Sequence, residues 1–260
     1  EIRASDWSSD VCSSDLEKRS RVPGKATEQM ARLQADVAGR GVDSADVVIE
    51  AIYENAEAKR QLYARIEPRL KPGAILATNT SSLMLEPLAE GLAVPGRLVG
   101  LHFFNPVAQM SLVEVIESAA TEPQALAAAL AFTRAIDKLP LPCRSAPGFL
   151  VNRVLMPYMT EAMLAAGTGV PLATIDEVAM QFGMPMGPIE LADIVGLDVC
   201  LHVGRILSTA FGGPAPDAVA ALVAAGKLGR KTGQGLYEWR DGKAVKPPVD
   251  PAARAPDDLE

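Results

Sequence analysis

Residues Asp46–Thr78 read DVVIEAIYENAEAKRQLYARIEPRLKPGAILAT, and this stretch decides the fold. Asp46–Ile52 is a short apolar run of the kind that forms a strand buried on both faces of a parallel sheet. Glu57–Leu70 then puts Leu62, Ile66 and Leu70 on one helical stripe. Pro72-Gly73 turns the chain into a second buried strand, Ala74–Thr78. Outward from this unit the alternation continues: a helix over Leu83–Gly91, a strand over Arg97–Phe103, and Leu112–Glu117 alternating as an edge strand does. An Ala/Leu helix over Pro123–Lys138 and a last strand over Leu139–Cys143 follow. On the N-terminal side, Met30, Leu33 and Val37 recur at three and four, which predicts a helix over Thr27–Ala38. Strands alternating with helices at this spacing indicate an α/β domain with a mostly parallel, doubly wound sheet.

Pro140–Gly148 (PLPCRSAPG) is rich in turn formers and marks a domain boundary, so the first domain spans 17–143 and a second spans 144–240. The second is patterned as all-helical. Val151, Leu155, Met159 and Ala162 form a stripe over Val151–Ala166, with a kink expected at Pro157. Thr174 and Glu177 have capping-box spacing for a helix closed by Gly183. Pro188 begins a third helix and Asp217–Gly226 forms a fourth. His202 falls in the helical pattern of Val199, Val203 and Ile206 and is expected to be structural. The domain ends near Trp239, leaving 241–260 as a tail.

Residues 1–16 (EIRASDWSSDVCSSDL) fit neither a strand nor a helix period and lack the apolar core of a signal peptide. They resemble the in-frame translation of a sequencing-library adapter and are expected to be an artefactual or disordered leader. This segment and 250–260 each carry four acids and one base, so the chain between them has a net charge of −1 against −7 for the whole. The acidity therefore says little about partners, beyond arguing against nucleic acid. No apolar run is long enough to span a bilayer as a helix. The three cysteines, Cys12, Cys143 and Cys200, form neither a disulfide framework nor a metal knuckle, which points to a reducing, cytoplasmic setting. Cys143 and Cys200 are read as small buried hydrophobes. Two histidines exclude a multi-histidine metal site, so no metal is expected.

A doubly wound sheet raises the question of a dinucleotide, yet no G-x-G-x-x-G or G-x-x-x-x-G-K-[ST] loop occurs anywhere in the chain. Six other segments are informative in their order: NTSS (Asn79–Ser82), HFFNP (His102–Pro106), VEVI (Val113–Ile116), PGFLVNR (Pro147–Arg153), GMPMGPIELAD (Gly183–Asp193) and LGRKTGQGLY (Leu228–Tyr237). Together they resemble the L-3-hydroxyacyl-CoA dehydrogenase family over about Ser44–Tyr237. VIEAIYEN with Lys59 is similar to the dehydrogenase region of the multifunctional fatty-acid β-oxidation proteins. The resemblance implies a Rossmann-like NAD-binding domain followed by a helical C-terminal domain. It also implies oxidation of an L-3-hydroxyacyl-CoA to the 3-ketoacyl-CoA with NAD.

Removing a hydroxyl proton as hydride leaves carbon calls for a base with a pKa near neutrality, which suits histidine. His102 ends a parallel strand, where open α/β sheets place their ligands. Glu114, on the next strand, is in reach of the far imidazole nitrogen and would fix the tautomer. By resemblance His102 is the base and Glu114 its partner. By the same resemblance Ser81 and Asn152 are the neutral groups that would hydrogen-bond the substrate oxygen; read without the family, each would be a helix cap. Glu54, Lys59, Ser81, Asn105 and Lys231 match positions that contact the nicotinamide cofactor.

The family begins with a strand, a glycine-rich turn and a ribose-binding acid ahead of the VIEA strand, and that first βαβ unit is missing here. The expectation is a truncated sheet with apolar edges, in a fragment of a larger gene product. The competing reading is an inactive fragment that retains only the helical assembly domain. A free hydroxy acid as substrate is a weaker third. Expected partners are the acyl-CoA, with no nucleic acid, and either a second copy or a multifunctional β-oxidation complex.

Overall fold

The computed structural model describes residues 27–28, 31–213 and 217–249. Five strands form one sheet in sequence order: β1 (Val47–Glu50), β2 (Ile75–Thr78), β3 (Leu98–Phe103), β4 (Leu112–Glu117) and β5 (Leu139–Arg144). β1, β2 and β3 are parallel, β4 returns antiparallel to β3, and β5 lies parallel to β4. Helix α1 (Ala56–Ile66) connects β1 to β2, α2 (Leu85–Ala89) precedes β3, and α3 (Pro123–Ala135) joins β4 to β5. Alternation along β2 sends Leu76 to one face, with Tyr63, Leu85 and Leu88. It sends Ile75 and Ala77 to the other, with Val99, Leu101, Val115 and Ala129. Each face is a separate apolar layer under its own helices, as a doubly wound sheet requires.

Three expectations about this domain need correction. β1 is not buried on both faces: it is the sheet's edge among the described residues, and Ile49 is 39% exposed. A continuous apolar run reports hydrophobicity but not how many neighbours cover it. β4 is not an edge strand but an internal one, paired on both sides; its one strongly polar interior residue is Glu114. The expected helix over Thr27–Ala38 does not form across its described part. Thr27 and Glu28 are helical, but 33–36 have no regular structure and Leu33 and Val37 are exposed. A short helix without an apolar surface to dock on has too little to offset nucleation.

The second domain packs α4 (Val151–Gly167), α5 (Leu172–Phe182), α6 (Pro188–Val195), α7 (Leu197–Phe211) and α8 (Ala220–Ala224) around one core of Met156, Met159, Ile189, Leu197, Val203 and Trp239. α4 continues through Pro157. Gly183 ends α5 with φ 114°, and Pro188 opens α6, as their chemistry dictates. The capping box is not used: α5 starts at Leu172 with Pro171 at its N-cap, and Thr174 is buried within the helix. The tail expected from residue 241 contains a strand instead. β6 (Glu238–Arg240) pairs with β7 (Lys243–Val245), and Lys246 bridges Asp176 and Glu190.

Asp193, on α6, holds the LGRKTGQGLY loop. It is fully buried and accepts hydrogen bonds from the Leu236 and Tyr237 amides (2.8 Å each) and from Trp239 Nε1 (2.9 Å). A side chain at Gly229, where φ is 95°, would collide with the Asp193 backbone, so the loop closes only with glycine there. Asp193→Ala leaves three donors, two of them buried, without an acceptor. We expect a loss of roughly 3–5 kcal/mol in urea unfolding; a loss under about 1 kcal/mol would show that water replaces the carboxylate.

Candidate active site

The residues that follow β1 and β2 line one cleft together with α7. β1, β2 and β3 finish on the same side of the sheet, and β4 begins there. His102 and Glu114 are register partners across the antiparallel β3–β4 pair, so twelve residues of sequence separation become direct neighbours on one face. His102 Nδ1 lies 2.7 Å from Glu114 Oε2, with His102 6% and Glu114 0% exposed. Phe104 and Phe149 flank the imidazole with ring centroids at 4.6 and 5.8 Å.

The second oxygen of Glu114 crosses the domain boundary. Oε1 accepts the amides of Leu150 (2.9 Å) and Val151 (2.8 Å) at the start of α4. That helix has no side-chain cap of its own, so Glu114 satisfies two of its orphan N–H groups and sits at the positive end of its dipole. The Pro147–Val151 segment is bent to make this possible. Gly148 has φ 71° and Phe149 φ 50°, and a Cβ on Gly148 would come within 2.8 Å of Leu207. A left-handed φ on a bulky residue is costly and persists where the surroundings fix it. Here it seats Phe149 against His102 and aims the next two amides at Glu114.

Asn152 does not cap α4; its Nδ2 donates to the Ser81 carbonyl at 3.3 Å. Ser81 does not cap α2 either. It belongs to a turn gathered around Glu54, whose Oε1 accepts from Thr80 Oγ1 (2.6 Å), the Ser81 and Ser82 amides (2.9 and 3.0 Å) and Ser82 Oγ (3.0 Å). Burial works against ionisation of Glu54, but those donors and the Lys59 ammonium outweigh it and hold its carboxyl below the usual glutamate value. Its contribution to folding is therefore present above the ordinary carboxyl pKa and fades as pH falls through the lower folded value.

Lys59 is inside the protein. Its side chain is 0% exposed, and Nζ sits 2.7 Å from Glu50 and 3.7 Å from Glu54. Glu50, which the sequence reading passed over as part of an apolar run, is the hub of this cluster. It also accepts from the Ile52 amide, Tyr63 Oη and Thr78 Oγ1 at 2.6–2.8 Å. Lys231 pairs with Asp198 at 2.6 Å, and Asn105 is exposed in the β3–β4 loop.

His102 and Glu114 thus form one hydrogen-bonded group, tied to the start of α4, and Asn152, the next residue of that helix, joins a second one with Ser81 and Glu54. A cleft of about 390 Å³ opens beside it, lined by Glu54, Asn79, Ser81, Ser82, Asp198 and His202. His202 lies on α7, as its helical pattern implies. Its side chain is not in the helical core but exposed, facing the cleft, with Nε2 3.4 Å from Ser82 Oγ. The helical period placed it on α7 but could not say which face meets the other domain. Asn79, Ser82 and Asp198 were also missed, although NTSS had been singled out as a motif.

Among the described residues no acid, histidine and cysteine cluster suits a metal. No single described helix is long and apolar enough to cross a membrane, and the one bent pair that passes by composition, α6 with α7, forms the core of the second domain. Burial, followed by the nearby carboxylates Asp198 and Asp193, pushes the Cys200 thiol up to about 12; burial and Glu114 and Glu117 do the same for Cys143. Neither serves as a nucleophile near neutrality. In the folded protein at about pH 8, iodoacetamide should leave both unmodified, and both should react once urea unfolds the chain. Rapid native labelling of Cys200 would contradict this packing.

Comparison with known proteins gives a consistent picture. A family model described as the NAD-binding domain of 3-hydroxyacyl-CoA dehydrogenase matches residues 4–146, beginning inside the polar leader, and one for the C-terminal domain matches 148–239. The fatty acid oxidation complex subunit alpha of Pseudomonas entomophila is 38% identical over 236 residues, covering 89% of this chain and 33% of the relative. That of Vibrio cholerae is 38% identical over 233 residues, again 33% of the relative. The chain therefore spans a third of the length of these curated relatives. Among solved structures, 3-hydroxybutyryl-CoA dehydrogenase from Escherichia coli K12 superposes with a TM-score of 0.84 at 35% identity, over 96% of this chain and 55% of that one. The (S)-3-hydroxybutyryl-CoA dehydrogenase of Ralstonia eutropha gives 0.80 at 34%, over 89% and 84%.

Proposed function

This chain belongs to the 3-hydroxyacyl-CoA dehydrogenase family, and from that premise we propose that its cleft oxidises an L-3-hydroxyacyl-CoA to the 3-ketoacyl-CoA with NAD. The observation that carries the reading is the His102–Glu114 pair, with Glu114 anchored by the first amides of α4. A carboxylate accepts from Nδ1, so the imidazole carries its proton there and presents Nε2 as the basic nitrogen. Nε2 takes the substrate hydroxyl proton while the C3–H bond breaks and its hydride leaves. Glu114 then stabilises the imidazolium it faces. Ser81 and Asn152, joined to each other and uncharged, hold the oxygen as it becomes a carbonyl.

NAD, when bound, supplies the hydride acceptor. The donor set fits its nicotinamide end: the polar cleft wall of Glu54, Asn79, Ser81 and Ser82 stands at the ends of β1 and β2, where open sheets bind nucleotides. Lys59 serves there by fixing Glu54 rather than by reaching into the cleft. Asn105 and Lys231 remain candidate contacts at its margins. A glycine-rich pyrophosphate loop is not found in this sequence, and the edge of β1 is open among the described residues. A second reading rests on these two observations, an inactive fragment that retains only the helical assembly domain. The relatives' names support membership of a fatty acid oxidation assembly. We propose that role, or a homodimer, in the cytoplasm, with the helical domain providing the contacts.

Loss of NADH absorbance with acetoacetyl-CoA tests the reaction. Turnover is expected, and His102→Gln should lower kcat about 10²–10⁴-fold with little change in KM. If the chain binds NADH yet His102→Gln turns over normally, His102 is not the base. If it neither binds nor oxidises NADH, the second reading holds. Comparing the CoA thioester with free 3-hydroxybutyrate decides the substrate class.

A further inference from the structure

His202 has a neighbour that the reaction as described does not use. α7 buries Cys200, Leu201, Val203, Gly204 and Leu207 in the helical core and turns His202 outward, toward the sheet domain. There its Nε2 meets Ser82 Oγ at 3.4 Å, a contact between residues 120 apart in sequence. The serine hydroxyl has a single proton, and that proton goes to Glu54 Oε1 at 3.0 Å. Ser82 Oγ must then accept from the imidazole, so His202 carries a proton on Nε2, the opposite tautomer to His102.

The Ser81–Ser82 turn is consequently held from three directions. Glu54 gathers its donors from the β1 side, Asn152 on α4 donates to the Ser81 carbonyl, and His202 on α7 donates to Ser82 Oγ. The charged groups around the imidazole are satisfied elsewhere. Asp198, one turn earlier, pairs with Lys231, and Arg205, on the same helix, pairs with Asp217 at 2.8 Å. We propose that His202 is a positioning residue: from the helical wall of the cleft it fixes the turn that carries Ser81, and so sets the Ser81 hydroxyl for the substrate oxygen. The contact is long for a hydrogen bond, as catalytic contacts often are before substrate closes a site. The role rests on the dehydrogenase reading above.

With acetoacetyl-CoA and NADH, His202→Ala should lower kcat about fivefold to tenfold, the value of one lost hydrogen bond. KM for NADH should hold. His202→Gln, whose amide N–H stands where Nε2–H stood, should recover most of the rate. Ser82→Ala, which also loses the bond to Glu54, should cost at least as much as His202→Ala, and adding His202→Ala to it should cost nothing further. An unchanged rate in His202→Ala, no recovery with Gln, or additive losses would overturn the proposal. If the wild-type chain shows no turnover, the reaction reading fails by itself and imidazole ¹⁵N spectra decide the His202 contact. The sequence has two histidines, so assignment is direct. A proton on Nε2 of His202, with a nitrogen shift that moves in Ser82→Ala while that of His102 stays, supports the contact. No movement refutes it.

Discussion

A single buried carboxylate, Glu114, holds the two halves of the molecule in one working arrangement. One oxygen orients the imidazole on the neighbouring strand, and the other caps the first helix of the second domain. An ionised group with no solvent exposure is tolerable only when its lone pairs are filled by well-aimed donors. Here the donors come from both domains, so the angle of the imidazole and the docking of α4 are set by the same group. The left-handed backbone at Gly148 and Phe149 belongs to that arrangement, immediately preceding the Leu150 and Val151 amides that Glu114 accepts.

The same device recurs at smaller scale. Glu50 ties β1 to α1 and β2, Glu54 gathers the Asn79–Ser82 turn, and Glu67 takes the Ala93 and Val94 amides. In the helical domain Asp176 receives the first amides of α6 and Asp193 the closing loop. Each replaces water around backbone N–H groups that a turn or helix end would otherwise leave unpaired. Such networks stiffen loops that lie outside regular structure. A reaction site assembled from strand ends and turns needs that stiffness.

Much of this was legible in the sequence, for reasons that differ by element. β2 and β3 are apolar on both faces because helices cover both, so their runs identify them directly. Pro188 and Gly183 mark helix ends because their backbone chemistry allows little else. Where the reading failed, the deciding contact lay far along the chain. LVEVIE looks like a half-solvated strand because Glu114 looks like its polar face, and only the register with His102 shows that the glutamate is internal. His202 shows the helical period correctly, but the period cannot tell which side another domain will face. Glu50 and Lys59 would ordinarily be taken for surface charges, and nothing local announces that they bury each other. The candidate site residues were reached through the ordered motifs, and the fold gives Ser81 and Asn152 a mutual contact that neither motif contains.

The central claim, that Glu114 fixes the imidazole with its proton on Nδ1 and Nε2 basic, is tested most directly by the ¹⁵N spectrum of His102 in the neutral state. The account predicts a protonated Nδ1 and an unprotonated Nε2, with that preference lost in Glu114→Gln, where the amide can rotate its N–H toward the ring. A proton found on Nε2 in the wild-type chain, or a tautomer unchanged by Glu114→Gln, would contradict it.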